Sequence, residues 1–383
     1  MMAIGLSKRP VGRWKGRVSP VSVITAGTIH AFYLFDVAEA IDLAALRRRF
    51  GARAETALLE DKGPGPSRIA YLQPPVLLDA ATLGIKEVEG FRLRVKFFDY
   101  GVISLRLSRP FSGPWPDLVK LAQDFTESER LEARAAEVCA QVRAAVGDAL
   151  ASGRPAMLDE DYLVYAVHAL DEPLDADALL ERHGVEIAQM LRGERQPLSR
   201  QEREEVLRHR LSYLADDLVI PAWNAAFIYD AEAASAATIE ILELANSQLL
   251  EFRYHDDLLD RELGQIYAVL QQPRRLDWMF GRRFTRAALR LQSLFIDVNE
   301  ITDKTENAVK LVGDLYAARL FNLVAARLGL DKWKGNVEEK LKTADDIYRF
   351  AVEQTGMSQA NILELVIVFI LVLELGLFFA GIM

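Results

Sequence analysis

The sequence is poor in cysteine and histidine. Its 383 residues include one cysteine, Cys139, and five histidines. A single cysteine excludes a disulfide within the chain, a multi-cysteine zinc site and a CxxC redox pair. No two of His30, His168, His183, His209 and His255 stand at metal-ligand spacing. Glycine and proline number 23 and 14, too few for a collagen-like or low-complexity chain. The GxxxxGK[ST] phosphate loop, a GxGxxG after a strand, the GxSxG elbow and HExxH are all missing. Excess positive charge is missing too. The net charge of −9 argues against nucleic acid as a direct primary ligand and leaves any anionic partner to a local basic patch.

What is present is a length that allows two or three domains and, at 51% hydrophobic residues, a full core without staples. The sharpest feature is the run Ile362–Ile382, ILELVIVFILVLELGLFFAGI, which contains no Lys or Arg. As a helix it is about 30 Å long, the thickness of a bilayer's hydrocarbon core. The reading is a transmembrane helix over 361–383, a tail anchor leaving the bulk of the chain on the cytoplasmic side. The bland alternative is a buried apolar helix of a soluble core. Glu374 is costly in mid-span, so it is protonated or faces a partner helix. Gly376 and Ala380 beside it form a small-xxx-small pair that permits close packing between copies. At the other end, residues 1–20 carry Lys8, Arg9, Arg13, Lys15 and Arg17 among Pro10, Gly12, Gly16 and Pro20. They read as a flexible basic arm, with an organellar transit peptide as the alternative; no secretory signal is present.

Between the ends, Val21–Phe35 reads as a strand and Ala40–Phe50 as a helix, with a loop at Lys62–Pro66 and a short strand at Ile69–Leu72. Alternation at Phe91, Leu93, Val95 and Phe97 and the run from Val102, separated by Asp99-Tyr-Gly101, predict a β-hairpin. Helices follow near 115–125 and 128–150. A similar order then recurs: a strand over Asp161–Ala169, helices at Asp175–His183 and Ser199–His209, and a hairpin in Leu218–Tyr229 around Trp223. Glu39, Asp42, Ala45, Leu46, Arg49 and Gly51 match Glu172, Asp175, Ala178, Leu179, Arg182 and Gly184 at one offset. These short alignments point to a duplication. The expected domains are a first α+β half at 21–150 and a second at 151–235.

Residues 236–360 read as a helical hairpin or stalk. Leu242, Ala245, Leu249, Phe252, Asp256, Leu259, Leu263, Ile266 and Leu270 keep coiled-coil spacing up to Pro273. A second seam runs from Phe284 to Tyr316, and a third helix carries Val337, Leu341, Ala344 and Tyr348, with breaks at Gly329 and Gly335. If the three helices run out, back and out again into the bilayer, their first turn lies at the membrane. That turn holds Arg274, Arg275, Trp278, Phe280, Arg282, Arg283 and Arg286, the arginine-and-aromatic mix of a headgroup interface. The same arginines could equally pair with acids of neighbouring helices. The best carboxylate cluster, His255 to Glu262, places Asp256 and Asp260 on one helix face. A divalent cation is conceivable there, but ordinary pairing, such as Asp257 with Arg261, is the stronger reading. Cys139, among alanines and valines, reads as a small core residue.

Three stretches carry a family resemblance: Lys96-Phe-Phe-Asp-Tyr-Gly-Val-Ile103, Leu249-Leu-Glu-Phe-Arg-Tyr-His-Asp-Asp-Leu-Leu-Asp-Arg-Glu-Leu263, and the helical run ending in the apolar segment with Glu374. The chain resembles the uncharacterised domain family containing the eukaryotic "required for meiotic nuclear division" proteins and bacterial members. The resemblance spans about 80–370 and is strongest after 210. It implies a membrane-attached protein with no established enzymatic activity, whose mitochondrial relatives support translation at the inner membrane, and it supplies no catalytic residues.

The resulting expectation is an α+β protein with a two-part, duplicated sandwich-like domain, an antiparallel helical stalk and a C-terminal transmembrane helix. Its function would be that of a non-enzymatic scaffold, without a cofactor, on the bacterial inner membrane or, alternatively, the mitochondrial one. Expected partners are membrane lipid, a second copy of the chain, and the ribosome or another protein. The rival readings are an RNA- or ribosome-binding module using the 274–290 turn, and an enzyme with a pocket between the α+β halves.

Overall fold

The computed structural model describes residues 22–56, 73–88, 90–126, 128–154, 159–270, 298, 315–347 and 349. The chain is α+β, built on a mixed sheet. The first long strand, β1 (Val23–Asp36), leads into a short β2 (Ala38–Ile41) and helix α1 (Leu43–Phe50). Short strands β3 (Glu55–Thr56) and β4 (Val76–Asp79) precede the hairpin of β5 (Arg92–Phe97) and β6 (Val102–Pro114). Helices α2 (Trp115–Thr126) and α3 (Glu129–Val146) follow, then β7 (Leu150–Gly153) and β8 (Asp159–Leu170). Helices α4 (Ala176–Arg192) and α5 (Arg200–Arg208) lead to β9 (Leu218–Pro221) and β10 (Ala225–Tyr229). The described helices beyond are α6 (Glu232–Leu270), α7 (Leu315–Leu328) and α8 (330–347).

Eight strands form one sheet in the order β3-β4-β5-β6-β1-β8-β10-β9, and β2 pairs with β7 separately. The centre is the antiparallel pair of β1 and β8, in which Phe32 faces Tyr162. The last six residues of β1 are all buried, because helices cover both faces. Ala31, Tyr33 and Phe35 point into a core with the α1–α5 layer. Phe32 and Leu34 point into a second core with α6, α7 and α8. A strand buried on both faces loses polar alternation, which is why this segment shows none.

Local signals place the helix starts. Asp42, Ser128, Asp175 and Ser199 each cap a helix by accepting a backbone N–H three residues on. The helix expected from Ala40 begins at Leu43, because Ala38–Ile41 is used as a strand against β7. Both expected hairpins form. The two expected halves contribute to one sheet but differ in their order of elements, the paired helices following the hairpin in 21–150 and preceding it in 151–235, and in strand sense: β6 is antiparallel to β1, whereas β10 is parallel to β8. Gly329, with φ of 70°, does separate two helices. Gly335 does not, since it lies inside α8.

The first half of α6 is a core element. Ile239 to Phe252 are buried on every side of the helix, where a two-helix stalk would leave a solvated face. Among the described residues no helix is long and apolar enough to cross a membrane. The expected transmembrane helix at 361–383 lies outside the described residues, as does nearly all of the second seam. Cys139 is fully buried in α3, and burial pushes its thiol up to about 12. It should therefore resist a thiol-specific reagent at pH 8 in the folded protein and react at once in denaturant; rapid native labelling would contradict this packing.

Candidate functional site

Five polar residues of α6 recur at helical spacing: Glu240, Glu243, Ser247, Glu251 and His255. Steps of three and four keep them on one side of the helix. All five are buried. That side lies against the sheet face presented by β5, β6 and the end of β1, whose inward residues there are also polar. The result is an ionic seam between helix and sheet, in two clusters.

The first cluster is balanced in charge. Lys96 of β5 donates from Nζ to Glu240 Oε2 and Glu243 Oε2, each at 2.5 Å. Arg106 of β6 donates to Glu240 Oε1 at 2.7 Å and also to Glu243. Ser104 adds a bond to Glu243 Oε1 at 2.6 Å. Two cations thus meet two carboxylates. Burial works against the ionised carboxylates, but Arg106 and Lys96 outweigh it and hold Glu243 down at about 2. Glu240 is lowered the same way, by Lys96 and then Arg106. Nearby His30 bonds through Nδ1 to Ser108 Oγ at 2.9 Å; burial and the positive Arg106 lower it to about 3, so it stays neutral.

Tyr100, paired with Ser247 at 2.6 Å, separates this cluster from the second. There Arg154, just after β7, forms an ion pair with Asp36, the last residue of β1, and lies 3.8 Å from Glu251 Oε1. His255 Nε2 is 3.3 Å from Glu251 Oε2, and the Arg154 guanidinium stacks 3.7 Å from the Tyr254 ring centroid. Here two carboxylates share one permanent cation. Burial pushes Asp36 up to about 8, with repulsion from Glu251 adding and Arg154 opposing. Burial likewise pushes Glu251 up to about 8, against the pull of Arg154.

Farther along α6, Asp256 and Asp260 do share a face, and Lys340 of α8 bridges them at 2.7 Å to each. Asp257 pairs with Arg261 at 3.0 Å, as the spacing implied. A groove of about 500 Å³ runs beside them between α6 and α8, lined by Asp260, Leu263, Tyr267, Asn336 and Lys340. Among the described residues no group of three or more His, Cys, Asp or Glu is arranged to hold a metal ion. What the seam can do chemically is exchange protons at the second cluster and hold α6 in register on the sheet.

The expected surface residues Arg274, Arg275, Trp278, Phe280, Arg282, Arg283 and Arg286, and the packing residues Glu374, Gly376 and Ala380, lie outside the described residues. The seam was missed because each of its charges looks solvated in isolation. The available signal was Lys96, set among Val95, Phe97 and Phe98, together with glutamates at 240, 243 and 251 in a helical stretch, 233–252, that carries no other charge.

Comparison with known proteins bears on the α+β region. Residues 26–235 match the family model described as the N-terminal domain of "Uncharacterized protein MJ0711". The curated protein of that name, from Methanocaldococcus jannaschii, is 25% identical over 220 residues, which are 57% of this chain and 66% of the relative. The chain thus covers just under two thirds of that relative's length. No solved structure matches significantly. Neither match links the chain to the meiotic nuclear division proteins or to mitochondria.

Proposed function

We propose that this chain, which belongs to the MJ0711 N-terminal domain family by a match over more than half its length, is a membrane-attached adaptor that presents its α+β domain to a protein partner. The observation that carries the reading is the apolar surface beside the edge strand β9. Tyr213, Leu214 and Trp223 flank that strand on its two loops and are 58%, 61% and 60% exposed. Tyr213 rests edge-on against Tyr316 of α7 at 5.3 Å and still keeps over half its surface in water, so with Leu214 and Trp223 it leaves an apolar patch that suits a protein contact. The charged clusters, by contrast, are spent inside the fold on Lys96, Arg106, Arg154 and their carboxylates. Membrane attachment rests on the apolar run Ile362–Ile382, and the basic turn at 274–290 would meet the headgroups. The resemblance to the meiotic nuclear division family makes the translation machinery the first partner to test.

The test is in-cell crosslinking and recovery of three proteins: the full chain, a version ending at Gln359, and the full chain with Tyr213→Ser and Trp223→Ser. The reading expects the full chain in membranes, the shortened one in the soluble fraction, and one partner recovered by both but lost from the double variant. Equal recovery with the double variant would overturn the contact surface. A shortened chain that stays in membranes would overturn the anchor.

A further inference from the structure

We propose that Asp36, Arg154, Glu251 and His255 form a proton-operated clamp that seats the second half of α6 on the sheet. The argument begins with the count of charges. Asp36 is 0% exposed, Glu251 1%, His255 3% and Arg154 6%, so water screens none of them. With both carboxylates ionised, Arg154 neutralises only one. Asp99, in the β5–β6 turn, adds further negative potential at Glu251. The cluster reaches neutrality only when it holds one proton, on Asp36, on Glu251 or on His255. A buried set of groups strongly favours its neutral form. The proton belongs to the set and not to one residue.

Every element packed there contributes a group: Asp36 from β1, Arg154 from the segment after β7, Asp99 and Tyr100 from the hairpin turn, and Glu251, Tyr254 and His255 from α6. Arg143 of α3 holds the Arg154 carbonyl at 3.1 Å, and the Arg154 N–H donates to Val37 O at 2.9 Å. The Arg154 backbone is therefore fixed, and its guanidinium is held in the cluster by Asp36 and the Tyr254 ring. Burial raises both Asp36 and Glu251, the direction that retention of a shared proton requires. For a carboxyl raised on folding, stability is full below its unfolded pKa of about 4 and is lost as pH rises toward the folded value. The clamp thus loosens progressively between about pH 4 and about pH 8, with the neutral range on the falling part. The first cluster titrates oppositely. Glu243, held at about 2, keeps its contribution at all pH above the ordinary carboxylate range. Helix α6 thus has an anchor that ignores neutral pH and, two turns on, one that obeys it, beside an ion pair from Arg253 to Glu160 of β8. Beyond the second anchor the helix runs on to Leu270, so the clamp would govern how firmly that outer half of α6 is tied to the sheet.

The test is hydrogen exchange of the full chain at about pH 6.5 and about pH 9, with exchange times scaled for intrinsic rate. The expected result is that protection over 249–258 falls at least about tenfold relative to 238–245 in the natural protein. Asp36→Asn and Glu251→Gln, which mimic the protonated form, should each reduce that fall to less than about threefold. Asp36→Asn carries the test if Glu251→Gln does not fold. Equal protection at both pH values, or an undiminished fall in Asp36→Asn, would overturn the clamp. The readout needs neither partner nor membrane, so its failure would leave the adaptor reading standing.

Discussion

Replacing Glu243 by alanine is expected to cost the fold about 3–5 kcal/mol, the range for breaking a fully buried ion pair. Glu243 is 0% exposed and accepts from Lys96, Arg106 and Ser104. Its loss leaves two cations facing Glu240 alone, with Lys96 only 1% exposed and unable to reach water. The penalty comes from stranding the partner charges, so removing a charge from each side should behave differently. Lys96→Met with Glu243→Leu leaves Arg106 paired to Glu240 and should fall within about 2 kcal/mol of the natural protein. A surface pair provides scale. Glu55, itself 60% exposed, pairs with Arg94, and Glu55→Ala should cost under about 1 kcal/mol. Urea unfolding at neutral pH measures all three. A Glu243→Ala cost as small as that of Glu55→Ala would mean that the seam does not hold α6.

Gly101→Ala is expected to be nearly as damaging, by about 3 kcal/mol or more, for a backbone reason. Gly101 closes the β5–β6 turn with φ of 98°, a region that side chains rarely adopt. A Cβ there would also overlap the carbonyl of Ala38, whose backbone cannot yield as a side-chain tip can. The turn is docked on this segment: the Val37 N–H donates to Gly101 O at 3.1 Å and the Ile41 N–H to Asp99 O at 2.9 Å. The variant should therefore lose stability together with exchange protection at Val37 and Ile41. Gly84→Ala separates the two causes. Gly84 has φ of 71° and open space around it, so strain alone applies, at about 1 kcal/mol. Equal losses at the two positions would show that the contact with Ala38 contributes nothing.

The secondary elements of the α+β part were readable because their signals are local. The Asp99-Tyr-Gly turn, the four capping residues and the long apolar run of β1 each act within a few residues. Leu242, Ala245, Leu249, Phe252, Leu259 and Leu263 are buried as their spacing implied. What that spacing could not show is the other side of the same helix. Glu240, Glu243 and Glu251 read as a solvated face until β5 and β6 are known to lie beneath them, and those strands are over a hundred residues away. The stalk reading failed for the first half of α6 on that point. Strand sense was hidden similarly. The run Leu218–Tyr229 announces a hairpin, but nothing in it says that β10 will join β8 in parallel. The family match covers 26–235, whereas the resemblance was strongest after 210.

The central pairing of β1 with β8 has a consequence for synthesis. Asp36 ends β1 and Asp159 begins β8, 123 residues later. At roughly 5–20 residues per second, a ribosome needs about 6–25 s to make the stretch between them. During that time β1 can pair with β6 on one side only. Its other edge is long and apolar, the kind that recruits other chains. The nascent protein therefore passes through a stage in which half of its sheet is built and its middle strand is an open border. Chaperone demand should peak there and fall once Leu170 has left the exit tunnel.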